Sequence, residues 1–131
     1  MYAIYIHDTK LEPYTELIMS GAKTIETRNR DSLRQLIGQR VGIIRTRAGH
    51  KAELVGAVTI YGKSYQDSIG LDQLRDRTKI PKDSKYNNER GKWCYFLRNP
   101  ARLEQPIELS ALPVVKRNMS YAVISFKGGQ K

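Results

Sequence analysis

Cysteine and histidine are scarce in this sequence. Its 131 residues include one cysteine, Cys94, and two histidines, His7 and His50. A single cysteine excludes an internal disulfide, and three such residues scattered along the chain lack the paired spacing of a zinc site. We therefore expect no metal ion and no other cofactor. Cys94 has no identifiable base partner in the sequence, so a cysteine nucleophile is not expected either.

Long apolar runs are also missing. No stretch approaches the roughly 20 apolar residues that a membrane-spanning helix needs. Residues 1–6 are apolar, but they lack a basic leader and are followed by His7 and Asp8. This pattern predicts a first strand rather than a secretion signal. We expect a protein of the reducing cytoplasm without membrane association.

Acidic residues are few compared with basic ones, and the imbalance is local. The chain has 23 Lys and Arg against 13 Asp and Glu, a formal net charge of +10. Residues 23–51 hold eight basic and two acidic side chains, and residues 92–131 hold seven and two. Arginine-rich segments favour a phosphate-bearing partner, so we predict RNA or single-stranded nucleic acid, leaving open whether a nucleoside is the true ligand. The alternative is a solvated basic surface that only keeps the protein soluble.

The first basic segment begins where a predicted helix passes into a predicted strand. Tyr14, Leu17 and Ile18 form the apolar stripe of a short helix that starts near Pro13 and ends at Gly21. From residue 23 the period changes to two, and β-branched residues favour an extended chain. The charged residues of this strand therefore sit on a rigid element.

Lys23, Glu26 and Arg28 form the predicted functional centre. Alternation places Glu26 and Arg28 on one face, and the flexible Lys23 stem is expected to reach the same side. Such a set suits an anionic or polar planar ligand. As catalytic groups, Lys23 and Glu26 are candidates for acid and base chemistry on a 2′-hydroxyl and its phosphate, with Arg28 stabilising the developing charge. The alternative is a solvent-facing edge strand with ordinary charges.

Further candidates for nucleic-acid contact lie outside this strand. Arg30, Arg45 and Arg47 are predicted to hold phosphates. Lys92 and Tyr95 are predicted to border the cleft. Residues 66–91 are interpreted as a polar flap with a helix at 71–77. Its acids are candidates for facing the centre: Asp67, Asp72, Asp76 and Glu89.

About six strand-like segments and two or three short helical segments, separated by turn signals, account for the chain. Its length fits one domain over residues 1–131. We expect an α+β, mainly β fold, namely a small β-barrel with two or three short flanking helices. A small open α+β sheet is the alternative. The last residues, 127–131, are expected to fray.

The central segment resembles the ASCH family, a branch of the PUA-like β-barrels. A proline-tyrosine pair at residues 13–14 is followed at residues 21–28 by the family's pattern G-x-K-x-x-E-x-R. A second similarity is the aromatic strand 92–97, followed by an Asn-Pro turn at 99–100 and a Pro-Ile step at 106–107. The resemblance implies a PUA-like barrel associated with RNA that covers about the whole chain.

The resemblance also implies possible activities. Some bacterial ASCH-like proteins are amidohydrolases of acylated cytidine that use the motif lysine, a threonine three positions later and a separate glutamate, and others are ribonucleases. The lysine corresponds to Lys23, but Glu26 stands where the threonine is needed. The implied functions are therefore nucleic-acid binding, then a metal-independent hydrolase of RNA or acylated cytidine nucleosides, then a protein-binding module like a transcription cofactor.

Overall fold

The computed structural model describes residues 1–87 and 90–125. Seven strands and three short α-helices make up this part of the chain. The strands are β1 (Tyr2–His7), β2 (Ile25–Arg28), β3 (Arg40–Thr46), β4 (Glu53–Gln66), β5 (Lys92–Glu108), β6 (Val114–Arg117) and β7 (Tyr121–Ile124). The helices are α1 (Tyr14–Met19), α2 (Ser68–Gln73) and α3 (Arg75–Thr78), and single 3₁₀ turns lie at Arg34–Leu36 and Leu109–Ala111.

All seven strands join one mixed sheet in the order β2-β5-β4-β3-β1-β7-β6. The β1–β3 pair is parallel, and the other pairs are antiparallel. The prediction of a mainly β fold with short flanking helices is confirmed. The predicted closure into a barrel is wrong, because among the described residues β2 and β6 remain the two edges of an open sheet. Both sides of β1 are occupied, by β3 and by β7, so β1 has no edge left for β2.

The main core lies against one face of the sheet. Strand positions that alternate towards this face supply Ile4, Ile43 and Ile60, which are fully buried. Helix α1 covers them with the predicted stripe, of which Tyr14 and Ile18 are buried and Leu17 is half-buried. This packing fixes the end of α1, and with it the start of β2, against the body of the domain.

Strand β5 continues through the segment predicted to be an Asn-Pro turn. Between the pairs Ala57↔Ala101 and Thr59↔Arg98 the β5 strand contains one residue more than β4. Asn99 takes a positive φ of 55° there, a conformation that asparagine tolerates better than most residues. The turn prediction is therefore wrong, because a β-bulge accommodates the pair without ending the strand.

The interpretation of residues 66–91 as helix plus flap needs a similar adjustment. The expected helix at 71–77 is divided into α2 and α3, with Leu74 between them. Glu89 and the expected fraying at 127–131 lie outside the described residues. Among the described residues, no helix is long and apolar enough to cross a membrane.

Candidate functional site

The end of α1 delivers Lys23 into the interior. Gly21 has a φ of +84°, a left-handed conformation that favours glycine, and so ends the helix as predicted. The Lys23 amide then donates to Leu17 O at 2.8 Å, which turns the chain back towards the sheet. On the other side, Thr24 O accepts from the Leu97 amide at 2.9 Å and joins this turn to β5. The Lys23 side chain is thus directed by backbone contacts on both sides.

Lys23 is only 2% exposed, and its ammonium group contacts three groups. It donates to Thr78 O in α3, lies 4.8 Å from the centre of the Tyr14 ring, and is 3.9 Å from Glu26 Oε1. Burial lowers the pKa of Lys23 to about 8, although the nearby Glu26 carboxylate acts in the opposite direction. A lysine in this state carries a proton that is easily lost near neutral pH.

Glu26 lies between the two predicted cations. Its Oε2 accepts a hydrogen bond from Arg28 Nε at 3.0 Å, while its Oε1 faces Lys23. Arg28 Nη2 donates to Tyr5 O in β1 at 2.8 Å. Arg28 therefore bridges the gap between the edge strand β2 and β1 that no backbone pairing closes, and it fixes the orientation of the Glu26 carboxylate.

A cavity of about 260 Å³ occupies this gap between β2 and β1. Its charged lining consists of Lys23, Glu26, Arg28 and Lys92, and its aromatic lining of Tyr5, Tyr14 and Tyr86. His7, Thr27 and Asn29 add polar groups at its margin. Three cations against one carboxylate make the cavity electropositive, and the rings give it apolar faces.

Residues 79–87 form one wall of the cavity, to which they contribute Ile80 and Tyr86. The Tyr86 ring packs edge-on against Tyr14 with centroids 6.1 Å apart, and Tyr86 O accepts a hydrogen bond from Lys92 Nζ. Ser84 Oγ donates to Glu12 Oε2 at 2.6 Å, and Tyr14 OH donates to the same oxygen at 2.7 Å. Burial, followed by the hydrogen bond to Glu12, raises the pKa of Tyr14, so its hydroxyl stays protonated.

The structure brings together four of the predicted site residues and separates the others. Lys23, Glu26, Arg28 and Lys92 line the cavity. Burial lowers the pKa of Lys92 as well. The other four predicted residues were expected to contact the same ligand, but they do not line the cavity. They are Arg30, Arg45, Arg47 and Tyr95.

Each separated residue has a physical reason for its position. Arg45 in β3 and Arg47 just after it both pair with Glu53, which is the cross-strand partner of Arg45. They line a different groove, of about 500 Å³, that meets the cavity near His7. Tyr95 is fully buried, and its hydroxyl donates to Asp31 Oδ1 at 2.8 Å. Arg30 is exposed beyond the end of β2.

The described acids of the flap segment, Asp67, Asp72 and Asp76, do not supply a second carboxylate to the cavity. Asp67 accepts from the Gly70 amide and caps α2, and Asp72 pairs with Arg75. Asp76 is exposed, and neither it nor the other two lines the cavity. In residues 1–87 and 90–125 no group of three or more His, Cys, Asp or Glu side chains is placed to hold a metal ion.

Sequence reasoning missed part of the cavity. The sequence patterns do not predict Tyr5 and Tyr86 in the lining, nor the Thr78 carbonyl that accepts from Lys23. Thr78 joins Lys23 across 55 positions, and Ser84 joins Glu12 across 72. No local pattern predicts contacts at such separations. The sequence offers one signal, the neighbouring Tyr86 and Asn87, whose side chains are of the kind that contact bases.

The fold and the site define a small mixed-sheet domain with an electropositive, tyrosine-lined cavity beside an edge strand. The crystal structure of ASCH from Zymomonas mobilis is similar, with a TM-score of 0.64 and 20% identity, covering 82% of this chain and 74% of that one. Two single-substitution variants of that protein, serine-to-alanine and tyrosine-to-phenylalanine, match at TM-scores of 0.64 and 0.63, each 21% identical. They cover 82% of this chain and 75% and 76% of theirs.

The chain therefore has an ASCH-like fold, in agreement with the resemblance of its residues 21–28. No protein-family model matches the sequence, and no curated protein matches it. At this level of identity the structural similarity concerns the fold alone, and the chemistry has to be argued from the cavity.

Proposed function

We propose that the cavity binds one nucleotide of RNA or of single-stranded nucleic acid. The observation that carries this proposal is the combination of tyrosine rings with a single carboxylate held between cations, all lining one cavity. Unpaired bases are recognised by stacking on aromatic rings and by hydrogen bonds to their edges, and phosphates by lysine and arginine. Both kinds of group are present here.

The size of the cavity supports a ligand no larger than a nucleotide. Its volume of about 260 Å³ lies just below the range of about 300–1,000 Å³ typical of pockets for drug-sized ligands. A longer strand has to place one nucleotide inside and run over the surface on either side. A free nucleoside or nucleotide fits the same space.

Glu26 supplies the selectivity in this proposal. Its carboxylate accepts hydrogen bonds only, and Arg28 fixes its orientation. The matching donor on a base is an exocyclic amine. Cytosine has this amine where uracil has a carbonyl oxygen, which a carboxylate repels. We therefore expect the cavity to prefer cytidine over uridine nucleotides.

Binding of CMP and UMP to the purified protein tests this function by calorimetry. We expect CMP to bind at least about tenfold more tightly than UMP, since a hydrogen bond to a charged group contributes about 1.5–3 kcal/mol. Glu26→Gln should abolish the difference, because an amide can both donate and accept. The control Glu104→Gln removes a carboxylate outside the cavity and should leave the difference unchanged. Equal affinities in the unmodified protein, or no binding of either nucleotide, would overturn the proposal.

A hydrolase acting through the same cavity is the second candidate, and the state of Lys23 favours it. With a pKa of about 8, roughly a tenth of the Lys23 side chains are neutral amines at pH 7 and able to take a proton, which is rare for lysine. Glu26 stands 3.9 Å away as a proton partner. Metal-free protein incubated with RNA, and separately with acetylcytidine, should then release product. Product formation that persists in Lys23→Met would exclude Lys23 as the base.

A further inference from the structure

A row of basic side chains crosses the outer face of the sheet, on the side opposite the main core. Arg40 of β3 is the cross-strand partner of Thr59 in β4, and Thr59 is the partner of Arg98 in β5. Directly opposite residues of neighbouring strands point to the same face, so the two arginines flank Thr59. Arg40 Nη1 donates to Thr59 Oγ1 at 3.3 Å, which fixes it on this face. Arg40 and Arg98 are both exposed.

Two aromatic rings extend this row along β4 and β5. Tyr61 and Phe96 lie with ring centroids 6.0 Å apart and an angle of 33° between the rings. The Arg98 guanidinium sits 4.8 Å from the Tyr61 ring centre, and Arg77 of α3 sits 5.4 Å from that of Phe96. Tyr61 is 42% exposed. The result is an open surface in which rings and guanidinium groups alternate.

The arginines of this surface are available to a ligand. Within the described part of the chain, Arg40, Arg77 and Arg98 make no ion pair with a carboxylate. By contrast, Arg28, Arg45, Arg47, Arg75 and Arg102 all pair with Asp or Glu. Arg30, Arg34, Arg90 and Arg117 also make no ion pair in the described residues, but only Arg77 and Arg98 lie over aromatic rings there. The combination of unpaired guanidinium groups with rings therefore distinguishes this face.

We propose that Arg40, Thr59, Tyr61, Arg77, Phe96 and Arg98, here called the outer platform, form a second binding surface for single-stranded nucleic acid. Bases stack on the Tyr61 and Phe96 rings and on guanidinium planes, and the arginines hold the phosphates. Stacking tolerates any base, so this surface binds without sequence preference. This second proposal rests on the proposed class of ligand, single-stranded nucleic acid, but not on the cavity. None of the residues of the outer platform lines the cavity.

Helix α3 separates the two surfaces and contacts both. Arg77 Nε donates to Thr24 Oγ1 at 2.9 Å while its guanidinium covers Phe96. The next residue, Thr78, provides the carbonyl that accepts from Lys23. Adjacent residues of one helix thus belong to the outer platform and hold the Lys23 side chain of the cavity. A nucleic-acid strand too long for the cavity meets the basic and aromatic outer platform on the other side of this helix.

An acidic protein is the competing kind of partner for a basic surface. Exposed rings between the arginines favour bases, because a carboxylate gains nothing from stacking on them. Duplex nucleic acid is disfavoured for the same reason, since its bases are already stacked. The preference for single strands is therefore the signature that separates this proposal from general electrostatic attraction.

Fluorescence anisotropy with a labelled single-stranded cytidine octamer tests the proposal, and binding of CMP to the same variants reports on the cavity. Tyr61→Leu should weaken octamer binding about tenfold while leaving CMP binding unchanged. Tyr61→Phe keeps the ring and should restore octamer affinity. The control Tyr65→Leu removes a ring outside the outer platform that is slightly more exposed, 54% against 42%, and should have little effect. Thermal unfolding of each variant checks that the fold is retained.

The outcomes separate the two proposals. If Tyr61→Leu and Tyr65→Leu weaken octamer binding equally, or if a duplex competes as well as a single strand, the outer platform is wrong. The same holds if the octamer fails to bind while an acidic peptide does. If the octamer depends on Tyr61 but CMP does not bind, the cavity proposal fails and the outer platform stands.

Discussion

Lys23 is a cation almost without access to water. Transferring an ammonium group into such a place costs several kcal/mol unless partners replace its hydration. Thr78 O, the Tyr14 ring and Glu26 replace part of it. The lowered pKa of Lys23 reflects the part of its hydration that these partners do not replace. A residue kept at this cost is better explained by a role in the cavity than by a contribution to stability.

The pH dependence of folding should reveal this cost. The pKa of Lys23 falls from 10.5 to about 8 in the folded chain, so between these values the unfolded chain binds more protons than the folded one. The free energy of unfolding should therefore rise with pH across this window, by up to roughly 3 kcal/mol from this residue. Below about pH 7 both states are almost fully protonated, and Lys23 contributes almost no slope.

Denaturant unfolding between pH 7 and 10.5 measures this effect as a difference between variants. Lys23→Met should lose the rise, whereas Lys51→Met, at an exposed position, should retain it. Other groups that titrate in this range, including the tyrosines, are common to both variants and cancel. Equal slopes for the two variants would show that the Lys23 ammonium is not desolvated as the structure has it.

At the scale of elements, residues 79–87 act as a wall held by a few polar contacts. Ser84 connects it to Glu12 in the loop before α1, and Ser84 Oγ also accepts from the Tyr86 amide at 3.1 Å. Arg75 of α3 contacts Ile80 O and Asn87 Oδ1. Apart from Ile80 and Tyr86, which pack against the main core, the contacts of this wall are hydrogen bonds, and segments held in this way open at low free energy. This wall is thus the natural part of the cavity to move when a ligand enters.

Ser84→Ala should loosen this wall without unfolding the domain. Losing its hydrogen bonds costs about 1 kcal/mol locally, so amide exchange of Ser84, Tyr86 and Asn87 should accelerate about fivefold. The exchange of the core strands should not change. Ser110→Ala, at an exposed position far along the chain, serves as the matched control. Acceleration spread evenly over the whole sheet would mean that Ser84 supports global rather than local stability.

The elements also show which features follow from sequence. The apolar stripe of α1, Gly21 at its end and the charged residues of β2 were predicted, because each depends on residues within one or two turns of the chain. The phosphate-holding role expected for Arg45 conflicts with its pairing, because Glu53 faces it only through the β3–β4 register. The open sheet and the Thr78 contact to Lys23 likewise depend on tertiary packing. Local patterns carry no information on either.

At the scale of the whole molecule, the net charge of +10 says less about ligand binding than the division of the arginines into those paired with a carboxylate and those unpaired. Arginines next to a carboxylate have already exchanged water for a partner and gain less from a phosphate. The unpaired arginines of the outer platform keep their full field towards solvent. Two variants with the same change in net charge should therefore differ in nucleic-acid binding when one removes paired and the other unpaired arginines.

The salt dependence of octamer binding measures this difference. For single strands, the logarithm of the association constant falls with the logarithm of salt concentration by about 0.7 per phosphate contact. The double variant Arg40→Gln with Arg98→Gln should make this slope shallower by about 1.4, twice the value for one contact. The double variant Arg45→Gln with Arg102→Gln removes the same charge but from arginines paired with Glu53 and Glu16, and should change the slope little. Equal changes in both would mean that binding follows total charge, and that the outer platform does not direct the strand.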